Sequence, residues 1–293
     1  QDIGFRAEVP VLFEVSPAIP VKLHVRDADK SGTTGSFTFR DAASHIFPPQ
    51  AKRLAPDFYF QRQVYRSDGD TVLLPPGKFL IEFTRGPEYR RLHREAVVPA
   101  RGKAELSFDL ERWIDPAASG FFSGDHHIHG AGCAHYTSPT EGVRPEDMFK
   151  QVEGEGLNVG CVLTWGPCFE FQRKFFDPGV NRLSNRKTIM KYDLEISGFG
   201  SEALGHVCLL NLKNQEFPGS EGTKTKGWPS WTLPVMKWTK EQGGFTGYAH
   251  SASGLEIDSA SSTKRIFQKF DADRKSTRLN SSHVSESRMP SSA

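Results

Sequence analysis

The chain has 293 residues, of which 37% are hydrophobic and 25% are charged, and it contains 27 Gly and 19 Pro. This composition is typical of a loop-rich globular protein and excludes collagen, a coiled coil and a wholly disordered chain. The net charge of +2 does not indicate the basic surface that binds nucleic acid. No apolar run approaches the ~20 residues of a membrane-spanning helix. We therefore expect neither a nucleic-acid partner nor a membrane span.

Short strands separated by turns are predicted over the first 116 residues. The candidate strands are Val21–Arg26, Gly35–Arg40, Lys78–Thr84 and Ala104–Leu110. Clusters of Gly, Pro and Asp between them are turn signals, and no helical period occurs. The pattern predicts a small all-β sandwich domain over residues 1–116. The stretch from Tyr65 to Tyr89 resembles carboxypeptidase-regulatory-like and transthyretin-like sandwich domains.

Beyond Pro116 the pattern changes, and predicted helices alternate with predicted strands. Helices are predicted at Arg144–Glu155, where Pro145 suits a first turn, and at Leu233–Gln242. The predicted strands are Leu157–Thr164, Ile189–Ser197, Gly205–Leu212 and Phe245–His250. Such alternation is typical of an α/β sheet or barrel whose active face lies at the carboxyl ends of the strands.

Histidines cluster where the second part begins, because four of them fall within ten residues: His126, His127, His129 and His135. Side chains alternate along a strand, so His127 and His129 should point the same way. Two neutral imidazoles beside carboxylates suit a divalent metal ion. A polar surface loop that happens to be rich in histidine is the alternative.

Three further candidate ligands lie next to apolar strands, namely Glu195, His206 and His250. An ionisable side chain in such a place is costly unless something pairs with it. Alone, His206 or His250 would more often be a structural histidine. Together with the histidine cluster, the set favours a metal site.

These residues carry a resemblance that spans Gly120–Leu255. The segment Ser123–His129 (SGDHHIH) is similar to the Gly-Asp-x-His-x-His signature of the polymerase-and-histidinol-phosphatase (PHP) metallohydrolases, in their CehA/McbA-like, carbaryl hydrolase-like branch. His135 follows at the spacing of a third family histidine. Glu195 ahead of Gly205-His206, and the Ala249-His250 pair, correspond to later family elements.

The resemblance implies a fold, a cofactor and a reaction. Residues 117–272 would form the amino-terminal part of a PHP-type distorted (β/α)7 barrel, giving an α/β protein preceded by the sandwich. A cluster of Zn, Mn or Fe ions would activate water to attack an ester, carbamate, amide or phosphoester of a small-molecule substrate. The implied ligands are His127, His129, His135, Glu195, His206 and His250. Asp125 would orient a ligand imidazole from outside the metal shell or be a plain turn residue.

The sequence departs from the family pattern in two places. Thr164 is followed by Trp165-Gly166 where most relatives carry Asp-His, and the final Asp-x-His, expected beyond Ala272, is missing. The site would then be incomplete and the chain as printed inactive. The alternative function is a catalytically silent metal-binding protein whose sandwich domain binds a polymer or a cell-surface partner.

Aromatic residues near predicted strand ends, above all Trp165, Phe169 and Trp228, could line an apolar substrate pocket. Hydrophobic packing beneath long loops is the alternative for each of them. Cys161 and Cys208 lie in apolar strands and are expected to be buried thiols, whereas Cys133 lies among the histidines and is a possible ligand.

The last 21 residues, Asp273–Ala293, contain almost nothing to bury, and they resemble a translated sequencing adaptor. A polar disordered tail is the alternative. The tail holds four basic and two acidic residues, so the rest of the chain has no net charge. Since the chain begins with Gln1, we expect that residues are missing upstream. A signal peptide there would direct the protein to the periplasm or out of the cell.

Overall fold

The computed structural model describes Pro10, Val15 and residues 17–51, 53–130, 141–165, 168–196, 206–248, 255–258 and 264–267. Its strands are β1 (Ile19–Arg26), β2 (Thr34–Asp41), β3 (Ile46–Phe47), β4 (Val64–Ser67), β5 (Thr71–Leu74), β6 (Gly77–Thr84), β7 (Leu92–Val98), β8 (Ala104–Asp109), β9 (Gly124–His129), β10 (Val159–Thr164), β11 (Ile189–Ile196), β12 (Val207–Leu210), β13 (Phe245–Tyr248), β14 (Leu255–Asp258) and β15 (Lys264–Phe267). The α-helices are α1 (Pro145–Gly154), α2 (Phe169–Gln172) and α3 (Thr232–Glu241). None of these helices is long and apolar enough to span a membrane.

Two sheets share one core in the amino-terminal part. The first has the order β5-β1-β8, and the second has the order β3-β2-β6-β7 with β4 also paired to β2. Val21, Leu23 and Val25 alternate along β1 and point inward, where they meet Phe37 and other apolar side chains of the second sheet. Each fully buried side chain of this kind contributes about 1.5–3 kcal/mol to stability. The four predicted strands are confirmed as β1, β2, β6 and β8.

Strand β2 is unusual because both of its faces are buried. Phe37 and Phe39 point into the shared core, and Ser36 and Thr38 point to the opposite side. That opposite side is covered by α1 and by the segment around Phe58, so the polar face of the sheet looks toward the rest of the chain rather than toward bulk water.

A five-stranded sheet, of order β13-β12-β11-β10-β9, organises the second part. β9, β10 and β11 run parallel, while β12 and β13 continue the sheet antiparallel. On one side, Met148 and Val152 of α1 pack against Ile128 and Val162. Val235 of α3 packs in a neighbouring cluster of apolar residues. β14 and β15 form a separate antiparallel pair.

The prediction of an α/β protein with a partial (β/α)7 barrel is wrong. Strands predominate in the described part of the chain, and one sheet curls into a half-barrel instead. A (β/α) barrel needs parallel strands joined by helical crossovers, whereas β12 and β13 are antiparallel to their neighbours. The sequence identified these segments as strands, but apolar periodicity says nothing about the direction in which a strand pairs. The proposed domain boundary at residue 116 stays a prediction and falls between β8 and β9.

Two glycines allow the two parts to approach backbone to backbone. Gly86, just after β6, has φ of +72°, and a Cβ there would lie 1.8 Å from the carbonyl oxygen of Glu155. Gly156, just after α1, has φ of +69°, and a Cβ there would lie 2.5 Å from the carbonyl oxygen of Arg85. Both the left-handed conformation and the absence of a side chain are therefore required at this joint.

A buried ion pair lies beside the glycine joint. The Arg85 guanidinium donates to Asp27 Oδ2 over 2.8 Å, and both side chains are almost wholly buried. The hydroxyl of Tyr89 donates to Asp27 Oδ1, and Lys187 from the second part donates to Oδ2. Burial opposes ionisation of Asp27, but the hydrogen bonds from Tyr89 and Ala28 and the charge of Arg85 outweigh it and lower the pKa of Asp27.

We expect Gly86→Ala to destabilise the protein more than Gly102→Ala. Gly102 also has a positive φ, of +90°, but open space surrounds it, so alanine there costs only the strain of about 1–2 kcal/mol. Alanine at Gly86 must also push back the carbonyl of Glu155, which should add about 2–3 kcal/mol. Urea unfolding of the two variants measures the difference, and equal losses would show that the close approach does not constrain the fold.

We expect Asp27→Asn to cost about 3–5 kcal/mol near pH 7, because it leaves Arg85 buried without its counter-charge. The matched control is Asp109→Asn, which breaks the exposed pair with Lys30 and should cost less than about 1 kcal/mol. Because folding lowers the pKa of Asp27 below its usual 3.8, this stabilisation is present above that pH and is lost as the pH falls further. Unfolding free energies between pH 7 and pH 2 should therefore converge for the wild type and Asp27→Asn.

Candidate metal centre

A β-bulge in β9 decides which way its side chains point. Asp125 pairs with Gly160 and Ile128 pairs with Val162, so three steps along β9 match two along β10. Such an extra residue reverses the alternation of side chains at that point. As a result Asp125 and Ile128 both face a cleft against the first part, whereas His127 and His129 both reach Glu195.

Glu195 comes from β11, two strands away, and lies close to the carboxyl end of that strand. Its Oε2 atom is 3.0 Å from His127 Nε2 and 2.9 Å from His129 Nε2, and these two nitrogens are 3.0 Å apart. Because β9, β10 and β11 run parallel, their carboxyl ends meet at one edge of the sheet. The three ligand atoms therefore converge at the carboxyl ends of the parallel strands, where α/β proteins also carry their active sites.

Glu195 is charged although it is deeply buried. Burial alone would raise the pKa of this carboxyl, but the attraction of His127 and hydrogen bonds from the imidazoles of His127, His129 and His206 outweigh it and hold the pKa of Glu195 well below its usual range. A buried carboxylate surrounded by imidazoles provides the negative charge and the neutral nitrogen donors that divalent transition metals prefer.

The three atoms fit a metal ion. Adjacent ligand atoms that share one ion at about 2.0–2.2 Å lie about 3.0 Å apart in octahedral and about 3.4 Å apart in tetrahedral geometry. The observed separations of 2.9–3.0 Å are close to the octahedral value. If both Nε2 atoms donated to Oε2, neither could accept from the other at 3.0 Å, and a cation removes this conflict. His127, His129 and Glu195 could thus bind a metal ion. Nitrogen and oxygen ligands do not by themselves distinguish Zn, Mn and Fe.

His206 lies on the other oxygen of the same carboxylate, where its Nδ1 atom is 2.9 Å from Glu195 Oε1. The predicted ligands His135 and His250 lie outside the described residues, as does Cys133. Asp125 was predicted to orient an imidazole or to be a turn residue. In the structure its Oδ1 atom accepts the backbone N–H of His127 over 2.9 Å, so it holds the strand rather than a ring.

The predicted substrate-binding aromatics form one cluster. The rings of Trp165 and Trp228 are 4.9 Å apart and nearly perpendicular, and Phe169 lies 5.2 Å from Trp165. Phe169 is completely buried among apolar residues, so it contacts the rings of Trp165 and Trp228 from the interior of the protein. Trp165 and Trp228 are only partly buried. Trp165 directly follows β10 and therefore lies at the same sheet edge as the three ligand atoms.

Sequence reasoning missed Asp193 and Lys191, which alternate with Glu195 along β11. Burial raises the pKa of Asp193 to about 6, although Lys191 and two backbone N–H groups favour its charged form. Charged residues at every second position of an otherwise apolar strand were the available signal. The buried-thiol prediction is confirmed for Cys208, while Cys161 is half-buried and its pKa is raised to about 12 by desolvation.

Comparison with known proteins adds no family: no protein-family model matches the chain, and no curated protein matches its sequence.

We expect added Zn²⁺ or Mn²⁺ to raise the unfolding temperature of the chelator-treated protein, because an ion that binds only the folded state stabilises it by about 2.7 kcal/mol at 100 times its Kd. Glu195→Gln keeps the shape but removes the charge, so the shift should disappear. Glu105→Gln, which alters only the exposed pair with His24, should keep it. Differential scanning fluorimetry measures the shift, and a full shift in Glu195→Gln would contradict the assignment.

Proposed function

We propose that the protein is a metal-dependent hydrolase that uses activated water against an ester, carbamate, amide or phosphoester of a small-molecule substrate. The observation that carries the proposal is the convergence of His127 Nε2, His129 Nε2 and Glu195 Oε2 within 3.0 Å of one another in a buried place. The resemblance of Ser123–His129 to the PHP metallohydrolase signature supports the reaction class.

The chain's own residues would hold and orient the ion. His127, His129 and Glu195 supply two neutral nitrogens and one anionic oxygen. His206, when protonated at Nδ1, donates to Glu195 Oε1 and fixes the plane of the carboxylate, so that Oε2 stays directed at the two imidazoles. A divalent ion bound there would lower the pKa of water toward ~7 and polarise a phosphoryl or carbonyl oxygen.

Access to the centre is one-sided. The side chains of His127 and Glu195 are only 3% and 8% exposed, whereas those of His129 and His206 are 34% and 41% exposed. A substrate would therefore approach from the side of His129 and His206. Trp165 and Trp228, at the same sheet edge, would contact its apolar portion. Phe169 is too deeply buried to do so.

We expect His127→Ala combined with His129→Ala to remove bound metal and to abolish hydrolysis, because two of the three convergent ligand atoms are lost. The β-sandwich should stay folded, as judged by circular dichroism, since neither histidine contributes to its core. His45→Ala is the matched control, because His45 is exposed, lies in the loop between β2 and β3, and pairs with Asp41 at the end of β2. Elemental mass spectrometry gives the metal content per chain, and ester, carbamate and phosphoester panels give the activity.

The replacement of a usual family ligand by Trp165 favours a second candidate, a metal-binding protein without catalysis. Trp165 packs on Phe169 and Trp228 and offers no ligand atom. The same experiment separates the two functions. If the double variant loses both the metal and the turnover of the wild type, the hydrolase is supported. If the wild type holds metal but hydrolyses none of the substrates, the metal-binding protein without catalysis is supported. Stoichiometric metal in the double variant would refute the site itself.

A further inference from the structure

A cleft of about 630 Å³ lies between the two parts of the chain. One wall is the outer face of β2 and β6, and the other is formed by α1 and β9. Its volume falls within the ~300–1,000 Å³ of typical small-molecule sites, and clefts between structural units are a common place for them. Arg62 and Arg91 are exposed at its rim, so the cleft opens to solvent.

Besides Tyr65 and Tyr89, five polar or charged residues of the cleft lining are at least nine-tenths buried. Two of them are already hydrogen-bonded: Asp125 accepts from the backbone N–H of His127, and Gln151 donates to the carbonyl oxygen of Pro56. The other three, Ser36, Thr38 and Gln61, are 8%, 6% and 9% exposed. Gln61 Oε1 is enclosed by protein and has no hydrogen-bond partner among the described residues, whereas the hydroxyls of Ser36 and Thr38 remain open to the cleft. Buried polar groups in folded proteins are nearly always hydrogen-bonded. A buried carboxamide without a partner, beside two hydroxyls that line the same cleft, suits a ligand that both donates and accepts hydrogen bonds.

Part of the lining is apolar. Phe58 stacks on Phe60, with the ring centroids 5.2 Å apart, and Phe58 lines the cleft. Met148 and Val152 of α1 and Ile128 of β9 face it from the second part. A ligand in the cleft would thus meet hydrogen-bonding groups on one side and an apolar surface on the other.

The charges around the cleft balance. Its charged lining consists of Arg40, Arg62, Arg91, Glu82, Asp125 and Glu155. Arg91 donates to Glu82 over 2.6 Å, and Glu155 accepts from the hydroxyl of Tyr65. With three charges of each sign and several of them already paired, the lining favours an uncharged ligand over an anion or a cation.

We propose that this cleft binds a neutral saccharide of one or two pyranose rings. Sugar hydroxyls both donate and accept, which suits Ser36, Thr38 and Gln61, and the C–H groups of a pyranose suit the apolar side that Ile128, Met148 and Val152 form. The cleft is a second site and does not rest on the proposed hydrolase, because β9 separates the two. Asp125 and Ile128 face the cleft, whereas His127 and His129 face Glu195.

The test titrates cellobiose, maltose and lactose into the full chain after metal removal by a chelator, with saturation-transfer NMR and calorimetry as readouts. We expect at least one disaccharide to bind saturably. Thr38→Val combined with Gln61→Met preserves side-chain volume but removes the hydrogen bonds, and it should weaken binding at least tenfold. Thr71→Val is the matched control, since Thr71 is an exposed strand threonine outside the cleft, and it should leave binding unchanged.

Three outcomes overturn the proposal: no saturable binding of any of the three disaccharides, undiminished binding in the Thr38/Gln61 double variant, or tighter binding of glucuronate than of the neutral sugars. Binding that appears only when metal is restored would place the sugar at the metal centre and would also overturn it. Circular dichroism checks that the double variant folds. If it does not, Ser36→Ala removes one hydroxyl with little change in volume and should weaken binding severalfold.

Discussion

The contact between the buried carboxylate of Glu195 and the imidazoles around it is the interaction on which the second part of the structure depends. A carboxylate at this depth loses most of its hydration, and only strong compensation keeps it ionised. His127, His129 and His206 supply that compensation from β9 and from the residue that precedes β12. One carboxylate thus links β9, β11 and the residue before β12, and the same arrangement brings His127 Nε2, His129 Nε2 and Glu195 Oε2 to one place.

The bulge in β9 links this centre to the rest of the molecule. Without the extra residue, Asp125 would alternate onto the same face as His127 and His129 and would bring a second carboxylate next to Glu195. With the extra residue, Asp125 faces the cleft, and its Oδ1 atom accepts a hydrogen bond from the backbone N–H of His127. One local irregularity therefore separates two surfaces of the sheet, of which one is suited to a metal ion and the other faces β2 and β6.

The joint between the two parts is built from backbone rather than from side chains. Gly86 and Gly156 let the main chain of one part approach a carbonyl oxygen of the other part. The Asp27–Arg85 ion pair lies beside this contact, and Lys187 of the second part also donates to Asp27. These contacts oppose a shift of the two parts relative to each other, because a shift would break the buried ion pair or bring two main-chain segments into collision. The cleft lies beside this joint, and Gly86 is part of its lining.

The sequence by itself determined much of the local structure. Alternating apolar residues correctly marked β1, β2, β6 and β8, and Pro145 correctly marked the start of α1, because side-chain periodicity and proline geometry act within a few residues. The spacing of His127 and His129 also brought out a pair that does converge. Glu195 was proposed as their partner on two grounds, its place in a largely apolar strand and its match to a PHP family element ahead of Gly205-His206.

The tertiary structure decided what depends on distant parts of the chain. Whether β12 and β13 run parallel or antiparallel to β11 is set by packing and not by periodicity, so the barrel expectation failed there. The bulge that redirects Asp125 has no signature in SGDHHIH, because it exists only in the pairing of β9 with β10. Likewise Ser36, Thr38 and Gln61 read as ordinary polar residues of a strand and a loop. The covering of β2 buries Ser36 and Thr38, and Gln61 Oε1 is enclosed without a hydrogen-bond partner among the described residues, which no sequence pattern indicates.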